Sequence, residues 1–249
     1  MRRCFVVVIG LSLVLAACGG GSDSRPSLSR SVAPLPCSQP LFATPVSCVA
    51  IPVGSSLVVY PAPLAASPSF TFPNPWLLND DPNLKVPQRL LVQERRGDWL
   101  RLVLPVRPNG TTGWVRARDV LLQQDPYRIV VQLGAHHITV YSGSSIVTQD
   151  TIADGAPDTP TPTGTYYLRV LLKAPDPTTV YGPYAYGLSG HSEALTTYLG
   201  GDAELGIHGN NDASVLGKSV SHGCIRMSND KITALAGLLP LGTPVQILA

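Results

Sequence analysis

Hydrophobic and polar residues alternate in short runs along most of the chain, and this pattern predicts a protein made mainly of β-strands. The runs WLRLVLPV and TGWVRARDV flank the turn signal PNG and predict a β-hairpin. RIVVQLGAHHITVYSG predicts a strand, a tight turn and a second strand. Near the end, NDKITALAGLL predicts a short amphipathic helix that begins at Ser228 or Asn229, and TPVQIL predicts a final strand.

One long segment, from Asp176 to Asp202, is rich in Tyr and Gly and predicts long loops. Loops of that length in a compact domain are usually functional. We therefore expect this segment to contribute to a site.

The first hydrophobic run has a different character. In MRRCFVVVIGLSLVLAAC two arginines precede a continuous apolar stretch that ends in small residues, which predicts a signal peptide over residues 1–17. Its end, LAAC, is similar to the bacterial lipoprotein processing box, which implies that Cys18 is acylated; a plain secretory signal with an incidental cysteine is the alternative. Residues 18–53 are then expected to form a flexible Gly/Ser/Pro-rich tether. We expect an extracytoplasmic, membrane-anchored lipoprotein facing the cell wall or the periplasm.

Composition supports export and argues against one class of partner. The chain has 24 Pro, 23 Gly and only 14% charged residues, as in an exported, turn-rich β protein. Removing the signal peptide takes two Arg from 18 Lys+Arg and leaves 16 against 16 Asp+Glu. A chain near neutrality gives no electrostatic reason to bind nucleic acid.

The five cysteines separate by position. Cys4 leaves with the signal peptide and Cys18 is the lipidation site. Cys37 and Cys48 lie close together in an exported chain and predict a disulfide. Cys224 has no partner, so it is either a reactive thiol or an inert buried one.

Two stretches outside the C-terminal motif also carry predictions. Residues 54–122, particularly GDWLRLVLP and GWVRARDV, resemble the bacterial SH3-like barrel, which implies a small domain that binds or orients on the wall. Trp99 and Trp114 are expected in its core. His136 and His137 fall at the predicted turn; adjacent strand residues point to opposite faces, so we expect structural or exposed side chains and no metal site.

Candidate chemistry is concentrated in GIHGNNDASVLGKSVSHGCIRMSND, residues 206–230. A thiol nucleophile needs a base, a group that orients the base, and donors for the oxyanion. Cys224 is the candidate nucleophile and follows Gly223, which permits close approach of a substrate. His208 and His222 are both candidate bases, and the residues alone do not rank them.

The IHG strand end, followed by the Cys of SHGCIRM sixteen residues later, resembles the motif of the L,D-transpeptidase (YkuD-type) family over residues 127–248. The resemblance implies a β-sandwich with a short C-terminal helix, behind the small SH3-like β-barrel. It also implies that Cys224 is the nucleophile and that His208, oriented by the carbonyl of Gly209, is the proton acceptor and donor. His222 would lie beside the thiol, and amides near Gly223 and Cys224 would form the oxyanion hole. Ser221 and Arg226 would lie in the motif loop or at a substrate carboxylate, and Tyr184 and His191 would lie along the donor channel.

Two positions depart from the family pattern. Asn210 stands where many members carry Thr, and we expect little effect because both are small and polar. Lys231 stands where an acid is frequent, with Asp230 one position earlier, which affects the start of the helix and leaves the chemistry alone.

The predicted function is a peptidoglycan L,D-transpeptidase that joins stem peptides through a Cys224 thioester and requires no metal or organic cofactor. Its alternatives are an L,D-carboxypeptidase on the same stems, a non-catalytic wall-binding protein in which Cys224 only packs, a cysteine peptidase acting on proteins, and a zinc site formed by His208, His222 and Cys224.

Overall fold

The computed structural model of the chain describes residue 37 and residues 41–198 and 201–249. The predicted signal peptide, Cys18 and most of the predicted tether lie outside the described residues. Within the described part, no helix is long and apolar enough to cross a membrane. The fold is mainly β with one short α-helix near the C-terminus, as the sequence predicts.

The N-terminal β region, residues 47–125, is built on a five-stranded antiparallel sheet in the order β8-β7-β6-β1-β9, with two smaller two-stranded sheets, β2-β3 and β4-β5. Its strands are β1 Ser47–Pro52, β2 Ser56–Val59, β3 Phe70–Pro73, β4 Trp76–Leu77, β5 Lys85–Val86, β6 Leu90–Arg96, β7 Trp99–Val103, β8 Thr112–Arg116 and β9 Val120–Asp125. Short 3-10 turns occur at Leu78–Asp80 and Ala117–Asp119.

The predicted hairpin is confirmed, since β7 pairs antiparallel with β8. The prediction of core tryptophans is confirmed as well, because Trp99 and Trp114 are buried.

The predicted tether is wrong at its C-terminal end. Residues Ser47–Pro52 form β1, which lies between β6 and β9 in the sheet and buries Val49 and Ala50. A disulfide joins Cys48 of this strand to Cys37. The surrounding prolines hid a strand whose pairing partner, β9, is about 70 residues away in sequence.

The C-terminal β region, residues 127–249, is built on an eight-stranded sheet in the order β12-β11-β10-β19-β14-β15-β16-β18, with a separate β13-β17 pair. Its elements are β10 Tyr127–Gln132, β11 His137–Ser142, β12 Ser145–Thr151, β13 Asp154–Gly155, β14 Gly164–Lys173, β15 Tyr184–His191, β16 Glu204–His208, β17 Ser219–Ser221, β18 Ile225–Arg226, α1 Asn229–Ala236 and β19 Pro244–Leu248. Two 3-10 turns lie at Leu133–Ala135 and Ala213–Val215.

One part of the predicted loop segment is instead a central strand. Residues Tyr184–His191 form β15, which pairs with β14 on one side and β16 on the other. Its glycines conceal the strand pattern, and Gly190 is required because a Cβ there would collide with the ring of Tyr166. The remaining loops on either side of β15 lie at the site described below.

Helix α1 packs Ile232 and Leu235 against the sheet, and the hydroxyl of Tyr186 donates to the carbonyl of Leu235 at 2.9 Å. Ser228 stands at the N-cap position, as one of the two predicted starts. Its hydroxyl donates to Oδ2 of Asp150 instead of capping the helix.

The two β regions share a packed boundary. Tyr167 of β14 is fully buried in the hydrophobic cluster of the N-terminal region. Thr243 donates to a carboxylate oxygen of Asp125 at 2.7 Å across the same boundary.

At the β10–β11 turn, His136 adopts a positive φ and its Nδ1 lies 3.0 Å from Oδ2 of Asp154, which gives this histidine a structural partner.

Candidate active site

The site lies where two parallel strands place distant residues side by side. Strands β16 and β18 pair Ile207 with Ile225 and His208 with Arg226. Cys224 immediately precedes β18, so the parallel register aligns it with Gly206, two residues before His208 and on the same face of β16. A Cβ added to Gly206 of β16 would lie 3.7 Å from Sγ of Cys224, so the thiol rests against the backbone of that strand.

His208 is buried and held in a defined orientation. Its Nδ1 lies 2.7 Å from the carbonyl oxygen of Gly209, and the ring of Tyr181 is 5.0 Å away, centroid to centroid. Burial lowers the pKa of His208 to about 4, with a further lowering from Arg226, against the opposing effect of the carbonyls of Gly209 and Val180. The imidazole is therefore neutral at pH 7, and with the proton on Nδ1 the basic lone pair is on Nε2.

Gly209 has no room for a side chain. An added Cβ would collide with Oδ1 of Asn229 and lie 3.0 Å from Cδ of Pro183. The glycine of the IHG motif is thus required by close packing next to His208.

Cys224 is a free thiol in this structure. Burial raises its pKa above the ordinary value, and the amide of Gly206 and the charge of Arg226 partly oppose that effect. Since Cys224 and His208 both favour their neutral forms, the resting site is a thiol beside a neutral imidazole.

The loop before Cys224 is fixed by its own serine. The hydroxyl of Ser221 donates to the carbonyl of Cys224 at 2.6 Å and accepts from the amide of Gly223 at 3.1 Å. Gly223 has φ +110°, a conformation that favours glycine. The amide of Gly223 is therefore engaged inside the loop, which leaves the amide of Cys224 as the candidate oxyanion donor.

Two threonines hold the same loop from outside. Thr159 donates to the carbonyl of Ser221 at 3.0 Å, and Thr161 donates to the carbonyl of Gly223 at 2.9 Å. Sequence reasoning assigned no role to either residue, although the alternation of Pro and Thr in DTPTPTG marked an unusual segment.

A narrow cavity of about 30 Å³, enough for a water molecule, lies at the thiol. We call it the Cys224 pocket, and it is lined by Val180, Tyr181, Leu195, Tyr198, Ala203, Glu204, Leu205, His208, Ser221, His222, Cys224 and Arg226. His222 is exposed, and its ring lies 5.3 Å from that of Tyr198. Val180, Tyr181, Leu195 and Tyr198 were not predicted individually, but they belong to the segment predicted to be functional.

Two predicted site residues lie elsewhere. Tyr184 packs against the hydrophobic core of the C-terminal region, because its neighbour Ala185 pairs with His208 and adjacent strand residues point to opposite faces. His191 lies at the far end of β15, buried, with Nε2 3.2 Å from Oδ2 of Asp202. Among the described residues, neither lines the Cys224 pocket, and their place along a donor channel stays a prediction.

Asn210, the departure from the family pattern, has structural partners of its own. Its side-chain Nδ2 donates to the carbonyl of Met227 at 2.7 Å, and its side-chain Oδ1 accepts from the backbone amide of Asp212 at 2.9 Å. It holds the chain after His208 against the chain after β18.

A thiol beside a buried, oriented imidazole at the edge of a β-sheet is the arrangement that cysteine-dependent acyl transfer requires. Residues 126–247 match the L,D-transpeptidase catalytic domain family (YkuD). The chain is 33% identical over 132 residues to the Bacillus subtilis protein named "Putative L,D-transpeptidase YqjB", covering 51% of this chain and 73% of that protein. The chain belongs to this family.

Two other similarities accompany this match. The B. subtilis protein named "Putative L,D-transpeptidase YkuD" is 35% identical over 122 residues, which cover 49% of this chain and 66% of that relative. The matched residues therefore span slightly less than two thirds of the length of that relative. An L,D-transpeptidase structure from Mycobacterium smegmatis is 16% identical, with a TM-score of 0.40, and the match covers 61% of this chain and 90% of that one.

Proposed function

We propose that this protein is a peptidoglycan L,D-transpeptidase that forms a thioester between Cys224 and a tetrapeptide stem and passes the acyl group to an amine of a neighbouring stem. The observation that carries the proposal is the parallel β16–β18 pairing, through which Cys224 and the buried, oriented His208 line one pocket. Family membership supports the substrate class.

In the first half-reaction, Nε2 of neutral His208 takes the thiol proton as Sγ of Cys224 attacks the carbonyl carbon of the L-centred bond before the terminal D-residue. The developing oxyanion is met by the amide of Cys224, since the amide of Gly223 is bound to Ser221. When the C–N bond breaks, His208 returns its proton to the leaving amine. A D-amino acid departs and a thioester remains.

In the second half-reaction, an acceptor amine loses a proton to His208 and attacks the thioester carbon. Cys224 leaves as thiolate and regains the proton, and a stem-to-stem amide has formed. Water in place of the amine gives a carboxypeptidase on the same acyl-enzyme.

Arg226 acts on both partners electrostatically. Its charge lowers the pKa of Cys224 and that of His208, which favours the thiolate and disfavours the imidazolium. The same charge would stabilise the oxyanion that follows. Its main chain also pairs with Ala153 in both directions, at 2.8 and 2.9 Å, which fixes its place beside the pocket.

The location of the enzyme is a separate part of the proposal. Residues 1–17 would be removed and Cys18 lipidated, so that the folded part acts outside the cytoplasm on a membrane tether. The N-terminal β region would act as an SH3-like wall-binding domain. Its length and its mainly β content fit such a role.

The test incubates the full chain and Cys224→Ala with purified disaccharide tetrapeptide and measures products and intact protein by mass spectrometry. Dimers formed only by the native chain support the transpeptidase. Tripeptide alone would make it a carboxypeptidase. No Cys224-dependent change with folded protein would overturn catalysis and favour a wall-binding protein.

A matched pair of histidine variants tests the base. We expect His208→Ala to lose about 10²-fold or more in the rate of acylation, the usual contribution of a general base. His222→Ala removes an exposed ring and should retain most of the rate. Equal losses would contradict the assignment of His208.

A further inference from the structure

The tip of the β7–β8 hairpin in the N-terminal region contacts the chain that follows β15. Arg107 donates from Nη1 to the carbonyl of Ser192 at 2.5 Å and from Nη2 to the carbonyl of Leu195 at 3.0 Å. Nη2 also donates to the carbonyl of Asp202 at 3.1 Å, and Nε lies 3.3 Å from Oδ1 of the same residue. One guanidinium thus joins three main-chain carbonyls of the C-terminal region.

Asn109, two residues further along the same turn, makes a second attachment. Its Nδ2 donates to the carbonyl of His191 at 2.8 Å, and its Oδ1 accepts from the amide of His191 at 2.9 Å. This pair of bonds reproduces the pattern of a neighbouring strand at the end of β15. His191, placed in the donor channel by sequence reasoning, is therefore part of this attachment.

The hydrogen bonds from Arg107 to the carbonyls hold this chain more firmly than the ion pair with Asp202 does. The carboxylate of Asp202 is 62% exposed, so its attraction to Arg107 is screened by water. The guanidinium has a rigid fork of donors that can hold several acceptors in a fixed arrangement, which a lysine ammonium cannot reproduce.

The attached chain forms one wall of the Cys224 pocket. Leu195 and Tyr198, within residues 192–198, both line the pocket, and the ring of Tyr198 faces His222. Since the cavity is only about 30 Å³, a small displacement of this wall changes access to Sγ of Cys224.

We propose that Arg107 and Asn109 are positioning residues through which the N-terminal β region sets the wall of the Cys224 pocket and so controls access to the thiol. The effect on stem peptides rests on the proposed function. The effect on access to Cys224 does not, because any small electrophile can report it.

The experiment compares the full native chain with Arg107→Ala, Arg107→Lys and Asn109→Ala. Arg118→Ala is the control, because Arg118 is an exposed arginine of the same region and, within the described residues, pairs only with its neighbour Asp119. Iodoacetamide labelling of Cys224 is followed on the tryptic peptide 219–226, and melting temperatures establish that each variant is folded. In parallel, kcat and KM are measured with disaccharide tetrapeptide.

We expect labelling of Cys224 to be faster by about threefold to tenfold in Arg107→Ala and Asn109→Ala, a smaller change in Arg107→Lys, and none in Arg118→Ala. KM should rise about fivefold with kcat changed less than twofold, because the wall is displaced while the reacting groups stay in place. A loss of kcat alone, in proportion to a lower melting temperature, would indicate a merely structural role and overturn the proposal.

The two proposals fail in distinguishable ways. If the native chain shows no turnover but labelling still accelerates in the variants, the proposed function fails and the positioning role stands. If the native chain turns over and the folded variants match it in labelling and in KM, the positioning role is overturned. Should Arg107→Ala unfold, Arg107→Lys and Asn109→Ala decide by the same criteria.

Discussion

Replacing Thr161 with Val should destabilise the loop that carries the nucleophile without touching the reacting groups. The hydroxyl of Thr161 donates to the carbonyl of Gly223 and accepts from the amide of Gly155, both at 2.9 Å, and the residue is buried. Valine keeps the shape and removes both bonds. Two backbone groups lose their partner.

The loss of stability can be calculated from the two backbone groups that are left without hydrogen-bond partners. Each buried group left without a partner costs about 1–3 kcal/mol, which gives about 2–6 kcal/mol for the pair. Gly155 and Thr161 border an open groove, so water can reach the site and the cost falls toward about 2–3 kcal/mol. For a folded unit of this size, that predicts a melting temperature lower by roughly 5–10 °C.

The assay is thermal unfolding followed by calorimetry, with Thr163→Val as the matched control. Thr163 lies in the same Pro-Thr segment but is exposed, so its substitution should leave the melting temperature nearly unchanged. With the loop displaced, acylation of Cys224 should also slow by about tenfold or more. A melting temperature for Thr161→Val equal to that of the control would refute the reasoning.

Three further results are expected. Because burial raises the pKa of Cys224, its alkylation rate should rise about tenfold per pH unit from 7 to 9; a plateau below pH 8 would contradict this. With the pKa of His208 lowered to about 4, turnover should persist from pH 7 to about 5, whereas the free energy of unfolding should begin to fall near pH 6.5, where the unfolded state takes up the proton first; a loss of turnover centred near pH 6.5 would exclude a neutral, buried base. Gly209→Ala should cost about 1–3 kcal/mol in chemical denaturation because of its clash with Asn229, while Gly134→Ala, with its nearest contact at 3.7 Å, serves as the control and should be nearly neutral.

Much of the architecture was predictable from local patterns. The alternation in WLRLVLPV and TGWVRARDV specified the β7–β8 hairpin, and NDKITALA specified α1, because neighbouring residues alone determine these elements. The prolines before β1 and the glycines of β15 masked two strands that exist only through partners distant in sequence. In both strands, pairing with strands distant in sequence outweighed the local preference of the residues.

The sequence by itself predicted a reactive thiol as one of two alternatives for Cys224, because this cysteine has no disulfide partner and two histidines lie close to it. Acyl transfer was implied by the resemblance of the motif to the L,D-transpeptidase family. The residues alone did not rank His208 and His222, nor could they place His191 and Tyr184. Those assignments depend on which strands pair in the sheet and in which register.

The tertiary structure decided which histidine lies near Cys224 and which distant residues hold the site, and the reason is geometric. Parallel pairing of β16 with β18 selects His208 for the buried place near Cys224 and leaves His222 exposed. The contacts of Thr161 and Arg107 join residues 62 and more than 80 positions apart. Hydrogen bonds of that kind depend on the relative placement of whole strands, and no local pattern in the chain encodes that placement.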